Sequence, residues 1–386
     1  MMIQSPVLSI PLWMQCPHVS PYACEIKIHN EPNKNTGPLF DNLKTKDMGS
    51  NKERIDMKRN RMIVKNRDGV YHLMSRCCLG EHLLEDGEKE MFVGMMHRQA
   101  AFSGVDILAY AVMSNHFHIL ARVRQEKPGT DEELLMRYRA FHEGRRLSPY
   151  SMTPDGLEKI LERGDAIAQR AREALLARMG DVSVFMRELK QCFTIWYNHQ
   201  NGNRGTLWME RFKSLVVEPS LHAMATVAAY IDLNAVRAKQ VDDPADYRFC
   251  SYAAAMGGKS SAMEGYRMIY GGREFDAAMA GYRLCLFGKG AKPKGDMHKD
   301  QGVISEEKLG AVIRRGGKVE MSELLRRRVR YFSYGMAIGS RMFLEGIFRE
   351  HRDCFPVTRK ARFASMKGAD WGGLQVVRDL KVNVFG

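Results

Sequence analysis

The sequence predicts an α+β fold: a ferredoxin-like antiparallel sheet with helices on one face, plus a mainly helical C-terminal region. Three patterns predict it. The strand-like run Val70–Arg76 is followed by a helical run from Asp86 to Phe102. Two further strand-like runs, Ile107–Met113 and His116–Val123, are separated only by Ser114-Asn115. Strand, helix and hairpin in that order open a split βαβ arrangement. Beyond residue 302, basic residues recur among apolar ones in helix-like segments.

Each element has a local cause. In the run from Asp86, Met91, Phe92, Met95, Met96 and Ala100 recur at helical spacing, and Gly104 stops the helix. The two-residue Ser114-Asn115 spacer suits a hairpin. Residues 124–180 are charged and Ala-rich and read as a helical insertion. From Val182 to Tyr197, Phe185, Leu189, Phe193 and Trp196 mark a core helix, and Leu215–Glu218 a strand. Ser220 is placed to cap a helix whose apolar stripe is Leu221, Met224, Ala228, Ile231 and Ala235.

Residues 1–58, rich in Pro, Asn, Lys and Ser, read as a disordered leader, with Met57 and Met62 as alternative starts. The catalytic unit is expected over 59–256, a Gly- and Lys-rich linker over 257–302, and a basic C-terminal domain over 303–386. Ile338–His351 reads as a helix, and Leu374–Val384 as a final helix and strand.

With 59 Lys and Arg against 45 Asp and Glu, the net charge is +14, which favours polyanions and nucleic acid first. No apolar run approaches the ~18–20 residues of a membrane span, and no signal-peptide pattern opens the chain. No membrane partner is expected, and the expected location is the cytoplasm, with the nucleoid. The eight cysteines form no CxxC pair and are expected as free thiols.

His116 and His118 flank Phe117 on a strand, so both imidazoles point to one face and Phe117 to the other. Paired imidazoles make half of a divalent-metal site. The alternative is two strand histidines facing solvent or satisfied by a hydrogen bond. Tyr230 and Asn234 stand four residues apart on the next predicted helix, with Arg237 seven from Tyr230 on nearly the same face. Such a face can hold a nucleophile, a metal ligand and a phosphate clamp, or can be a core margin beside polar surface.

Three stretches in order carry a resemblance: Asn115-His116-Phe117-His118-Ile119-Leu120, Leu207-Trp208-Met209-Glu210-Arg211-Phe212-Lys213, and Tyr230-Ile231-Asp232-Leu233-Asn234-Ala235-Val236-Arg237-Ala238. Over about residues 59–256 the chain resembles the single-tyrosine His-hydrophobic-His (HUH) transposases of the insertion-sequence-200-like superfamily, in particular their REP-associated branch. The resemblance implies that His116, His118 and Asn234 ligate a divalent metal, Mg²⁺ or Mn²⁺, and that Tyr230 is the nucleophile. Tyr230 would cleave single-stranded DNA to a 5′-phosphotyrosine and a free 3′-hydroxyl, and the same step reversed would rejoin DNA. Single-stranded or hairpin DNA is the implied partner, and a homodimer is compatible with it. The sequence departs from the family at Cys77-Cys78-Leu79-Gly80, in the long insertion, and at Ala235 in place of a proline.

Arg204, Arg211 and Lys213 flank Trp208, a pattern suited to phosphate contact with base stacking; Trp208 and Phe212 could equally be core. Arg326, Arg327 and Arg328 read as a grip on DNA, or as a solvated helix face. Tyr197 and Tyr110 compete as nucleophiles, and Tyr110 has no Asn or Gln four residues on. The rival to a transposase is a domesticated DNA-binding regulator of repeated hairpin elements without cleavage activity. A metal-dependent hydrolase of small phosphoesters fits the charge poorly.

Overall fold

The computed structural model describes residues 61–143, 152–287, 314, 320–327, 329–355, 360–361 and 363–378. The predicted leader, residues 1–58, lies outside the described residues.

The alternating strands and the helices between them assemble as the sequence predicts, except that helices cover both faces of the sheet and not one. Strand β1 (Gly69–Arg76) leads to α1 (Asp86–Ser103), then to the hairpin β2 (Val105–Val112) and β3 (His116–Val123). Gly104 closes α1 in the left-handed conformation, φ 68°, which glycine adopts without a Cβ penalty. After the insertion come α5 (Val182–Asn201) and β4 (Lys213–Val217). The four strands lie in the order β2-β3-β1-β4, all antiparallel, which is the ferredoxin-like arrangement. The insertion forms α2 (Asp131–His142), α3 (Pro154–Leu161) and α4 (Ala166–Leu176), with a small core of its own around Phe102, Tyr138, Phe141 and Leu157.

Alternation along β3 decides which helices meet which face. Phe117 packs on Phe92 of α1, which in turn meets Phe193 of α5, so both helices cover that face. His118 points the other way and meets Tyr230 of α6 (Leu221–Asp232). Ser220 caps α6, its hydroxyl accepting from Ala223 N. Small residues, Ala223, Ala225, Ala228 and Ala229, are buried along α6. After Leu233 the chain re-forms a single turn, α7 (Asn234–Arg237).

The stretch expected as a linker contains structure. After α8 (Ser251–Met256), α9 (Ser260–Ile269) and α10 (Phe275–Phe287) pack into the main core; residues 288–302 lie outside the described residues. Gly265 makes the contact: a Cβ there would lie 2.5 Å from Leu108 O, at the bulge between Ile107 and Ala109 of β2. Glycine-richness here reflects close approach of backbones, which composition does not separate from a linker.

The C-terminal region contributes strands as well as helices. Following α11 (Met321–Leu325) and α12 (Tyr331–Tyr334), β5 (Gly335–Gly339) joins β4 in parallel. β7 (Gln375–Arg378) pairs antiparallel with β5, and β6 (Ala364–Ser365) with β7, extending the sheet to seven strands. The helix read over Ile338–His351 is α13 (Arg341–Glu350), capped by Ser340, and Ile338 belongs to β5. Of Leu374–Val384, residues 375–378 are strand and 379–384 lie outside the described residues. One core runs from Met62 to Val377, so this region and strands β1–β4 share an interior. The cysteines among the described residues are free thiols, and no described helix is long and apolar enough to cross a membrane.

Asp232, fully buried, binds α6 to the helices behind it. It accepts from Ser251 Oγ at 2.8 Å, Tyr252 N at 3.2 Å and Tyr266 Oη at 2.6 Å, and also from Tyr282 Oη. Asp232→Ala leaves these donors unpaired in the interior, and urea unfolding should show a loss of about 3 kcal/mol or more. A loss under 1 kcal/mol would remove Asp232 as the anchor of this layer.

Candidate active site

Strand β3 and the α6–α7 turn build the site from opposite sides. Asn115 Nδ2 donates to Gly80 O at 2.8 Å, which leaves its Oδ1 facing His116. His116 Nδ1, 2.6 Å from that oxygen, must therefore carry the proton. Nε2 is then the basic nitrogen, and it faces the Asn234 amide at 3.4 Å. His118 lies beside it, ring centroids 5.2 Å apart and planes nearly perpendicular, with Nδ1 2.9 Å from Nε2 of His72.

Burial keeps the His72 and His118 rings neutral. Desolvation lowers the pKa of His72 to about 3, and drives that of His118 well below the usual histidine range, helped by His72, His116, Arg237 and Arg76. A neutral imidazole is the form that ligates metal.

Tyr230 is 3% exposed and stands at the flank of the two buried histidines, its ring centroid 6.2 Å from that of His118 and 6.1 Å from that of His72. Its other neighbours come from the helix end and the C-terminal region. The Arg237 guanidinium lies 3.9 Å above the ring centroid, Phe332 stacks on the ring at 4.5 Å, and Ser333 Oγ lies 3.0 Å from the hydroxyl. Arg237 also donates to Leu325 O at 3.0 Å.

The predicted set of His116, His118, Tyr230, Asn234 and Arg237 thus converges. His116 Nε2 lies 3.4 Å from the Asn234 amide nitrogen, so a divalent ion would take Asn234 only once the amide is turned to present Oδ1. Imidazole suits Zn²⁺ and the later transition metals, a carboxamide oxygen suits Mg²⁺ or Mn²⁺, and the mixed donor set does not by itself select among them.

Register places two cations on the same face. Arg76 pairs directly with His116, and its side chain is exposed. Lys213 pairs with Met74, which pairs with His118. Lys213 also bonds Glu210 at 2.9 Å and lies over the ring of Tyr334. Sequence reasoning missed Arg76, His72, Phe332 and Ser333. Arg76 and His72 could both have been placed on the histidine face by pairing the two strands antiparallel; the His72–His118 contact, Phe332 and Ser333 depend on the packed structure.

Other predicted residues fall elsewhere. Trp208 packs in the core rather than facing out for a base: 7% exposed, it lies against Phe92, Phe117 and Phe193, and its Nε1 donates to Thr194 Oγ1 and Lys190 O. Arg204 and Arg211 are exposed on the surrounding loop. The basic cluster does not form one helix face, because α11 ends at Leu325. Arg326 is half-buried over Phe287 and its pKa is lowered mainly by desolvation, Arg327 is exposed, and Arg328 lies outside the described residues. Tyr110 pairs with Ile119 and meets His97 of α1, and Tyr197 lies on α5 against Phe193, so both sit on the face opposite the histidines.

No family model matches the sequence, and no curated protein does. Among solved structures, that of a REP-associated tyrosine transposase bound to a REP hairpin is similar, with a TM-score of 0.29 and 11% identity over 50% of this chain and 81% of that one.

The placement of Trp208 gives a direct check. Trp208→Ala should cost roughly 3–5 kcal/mol in urea unfolding, as expected for a large core side chain. Arg204→Ala should leave stability within about 0.5 kcal/mol. A Trp208 variant as stable as the parent would contradict the core assignment.

Proposed function

We propose that the chain is a DNA transposase that cleaves and rejoins single-stranded DNA through a 5′-phosphotyrosine intermediate at a divalent-metal site. One observation carries this reading: the α6–α7 turn brings Tyr230 against His118 and Asn234 against His116. A phenol, two imidazoles and a carboxamide then stand side by side.

In the step we infer, Tyr230 Oη gives up its proton and bonds to phosphorus, the P–O3′ bond breaks, and the 3′-oxygen leaves as a hydroxyl by taking up that proton, directly or through water. A phenol has an ordinary pKa near 10, so the phosphoryl group must be made more electrophilic for it to react at neutral pH. A bound divalent ion supplies that by polarising a phosphoryl oxygen. His116, His118 and Asn234 would hold the ion. Arg237 and Arg76 supply positive charge for the phosphate, and Lys213 lies on the same face. The phosphotyrosine conserves the bond energy, so rejoining needs no nucleotide cofactor. Since Tyr230 is covered, DNA reaches it only when residues 331–334 give way.

That cover is also the observation that favours the second reading, a DNA-binding regulator without cleavage. On that reading Tyr230, stacked between Arg237 and Phe332, serves as a packed side chain and not as a nucleophile.

Labelled single-stranded hairpin DNA, incubated with the protein and Mn²⁺, should give an adduct that survives denaturation, and Tyr230→Phe and His116→Ala should each abolish it. An adduct from Tyr230→Phe would refute Tyr230 as nucleophile. Retarded DNA with no adduct from any hairpin would support the regulator. Separately, Arg76→Ala should weaken binding of all DNA sequences alike and reduce the salt slope by about 1; an unchanged slope would take Arg76 off the DNA.

A further inference from the structure

We propose that His72 is a positioning residue that fixes the tautomer and the aim of His118. This rests on the metal-site reading above. His72 sits on β1 diagonally across from His118, on the same face of the sheet, because His72 pairs with Leu120 and His118 with Met74. The two rings are 5.0 Å apart between centroids, and His72 Nε2 is 2.9 Å from His118 Nδ1. His72 is wholly buried.

A hydrogen bond between two neutral imidazoles needs one donor and one acceptor, and the choice has consequences. If His72 donates, His118 carries its proton on Nε2 and cannot ligate through that nitrogen. If His118 donates, its Nε2 bears the lone pair. The contact itself decides on the metal-site reading. His118 Nδ1 is taken up by His72, so Nε2 is the one nitrogen left to ligate. His118 must then donate from Nδ1, and His72 Nε2 must accept. A neutral His72 that accepts at Nε2 carries its proton on Nδ1, which is buried. Asn115 does the same for His116, so each predicted imidazole ligand has a separate acceptor holding Nδ1–H. Outer partners of this kind typically change metal affinity by about 10–100-fold.

Two measurements on the full chain test this. In the metal-free protein, nitrogen-15 NMR of the imidazoles should show His118 protonated at Nδ1; protonation at Nε2 would overturn the proposal. Mn²⁺ titration by calorimetry should then show affinity about 10–100-fold weaker in His72→Phe and within about threefold of the parent in His72→Gln, whose Oε1 can accept from His118. Equal affinity of a folded His72→Phe and the parent would also overturn it. If His72→Phe does not fold, weakened binding in His72→Gln overturns it and preserved binding supports it. Should the parent bind no Mn²⁺ while His118 is protonated at Nδ1, the metal-site reading itself fails, and the positioning role falls with it.

Discussion

A single buried carboxylate holds the two halves of the candidate site in register. Asp232 lies two residues after Tyr230 and two before Asn234, so it projects roughly opposite to both around the helix. Tyr230 and Asn234 face the sheet while Asp232 faces the helices behind. Burial raises its pKa to about 6, and the hydroxyls of Tyr266, Tyr282 and Ser251 and the Tyr252 amide oppose that rise. An isolated carboxylate there would cost several kcal/mol, so it needs these donors. The donors come from α8, α9 and α10, and Ser251 Oγ also accepts from Tyr110 N of β2 at 3.0 Å. The geometry of the front face is thereby tied to residues up to fifty positions downstream.

The same contrast governs the electrostatics. The chain is strongly basic, yet the buried rings at the site are uncharged. Desolvation is the largest cause for both His72 and His118, and positive neighbours add to it. The cations lie instead around the rings: Arg76 at the strand end, Arg237 above Tyr230, and Lys213 along the sheet. A neutral centre ringed by positive charge has the polarity that a phosphodiester and a divalent ion require together, since protonated histidines would repel the ion.

The sequence made legible whatever local spacing controls. Alternation in His116-Phe117-His118, the Ser220 cap and the Gly104 stop are all written within a few residues. So is the pairing of Tyr230 with Asn234 on one helical face. What it hid depends on contacts between distant segments. His72 is one residue in an apolar strand, and nothing nearby marks its partner 46 positions on. Trp208 beside arginines looks the same whether it stacks on a base or on Phe117. Helix α9 hides in a Gly-rich stretch because Gly265 serves a contact with β2. The apolar run around Met336-Ala337-Ile338 is too short for its period to separate strand from helix.

The extended sheet explains why the C-terminal region belongs to the site. β5 pairs in parallel with β4 through Val216–Ala337 and Val217–Ile338, and α12 runs directly into it. That register fixes where Phe332 and Ser333 fall, and they fall on Tyr230. A slip of one residue would turn every β5 side chain to the other face, so the pairing is strongly specified. One short turn therefore supplies both the ring that stacks on the predicted nucleophile and the hydroxyl beside its oxygen. The seven-stranded sheet is the scaffold that makes those two contacts simultaneous, and a chain cut before α12 would lose both together.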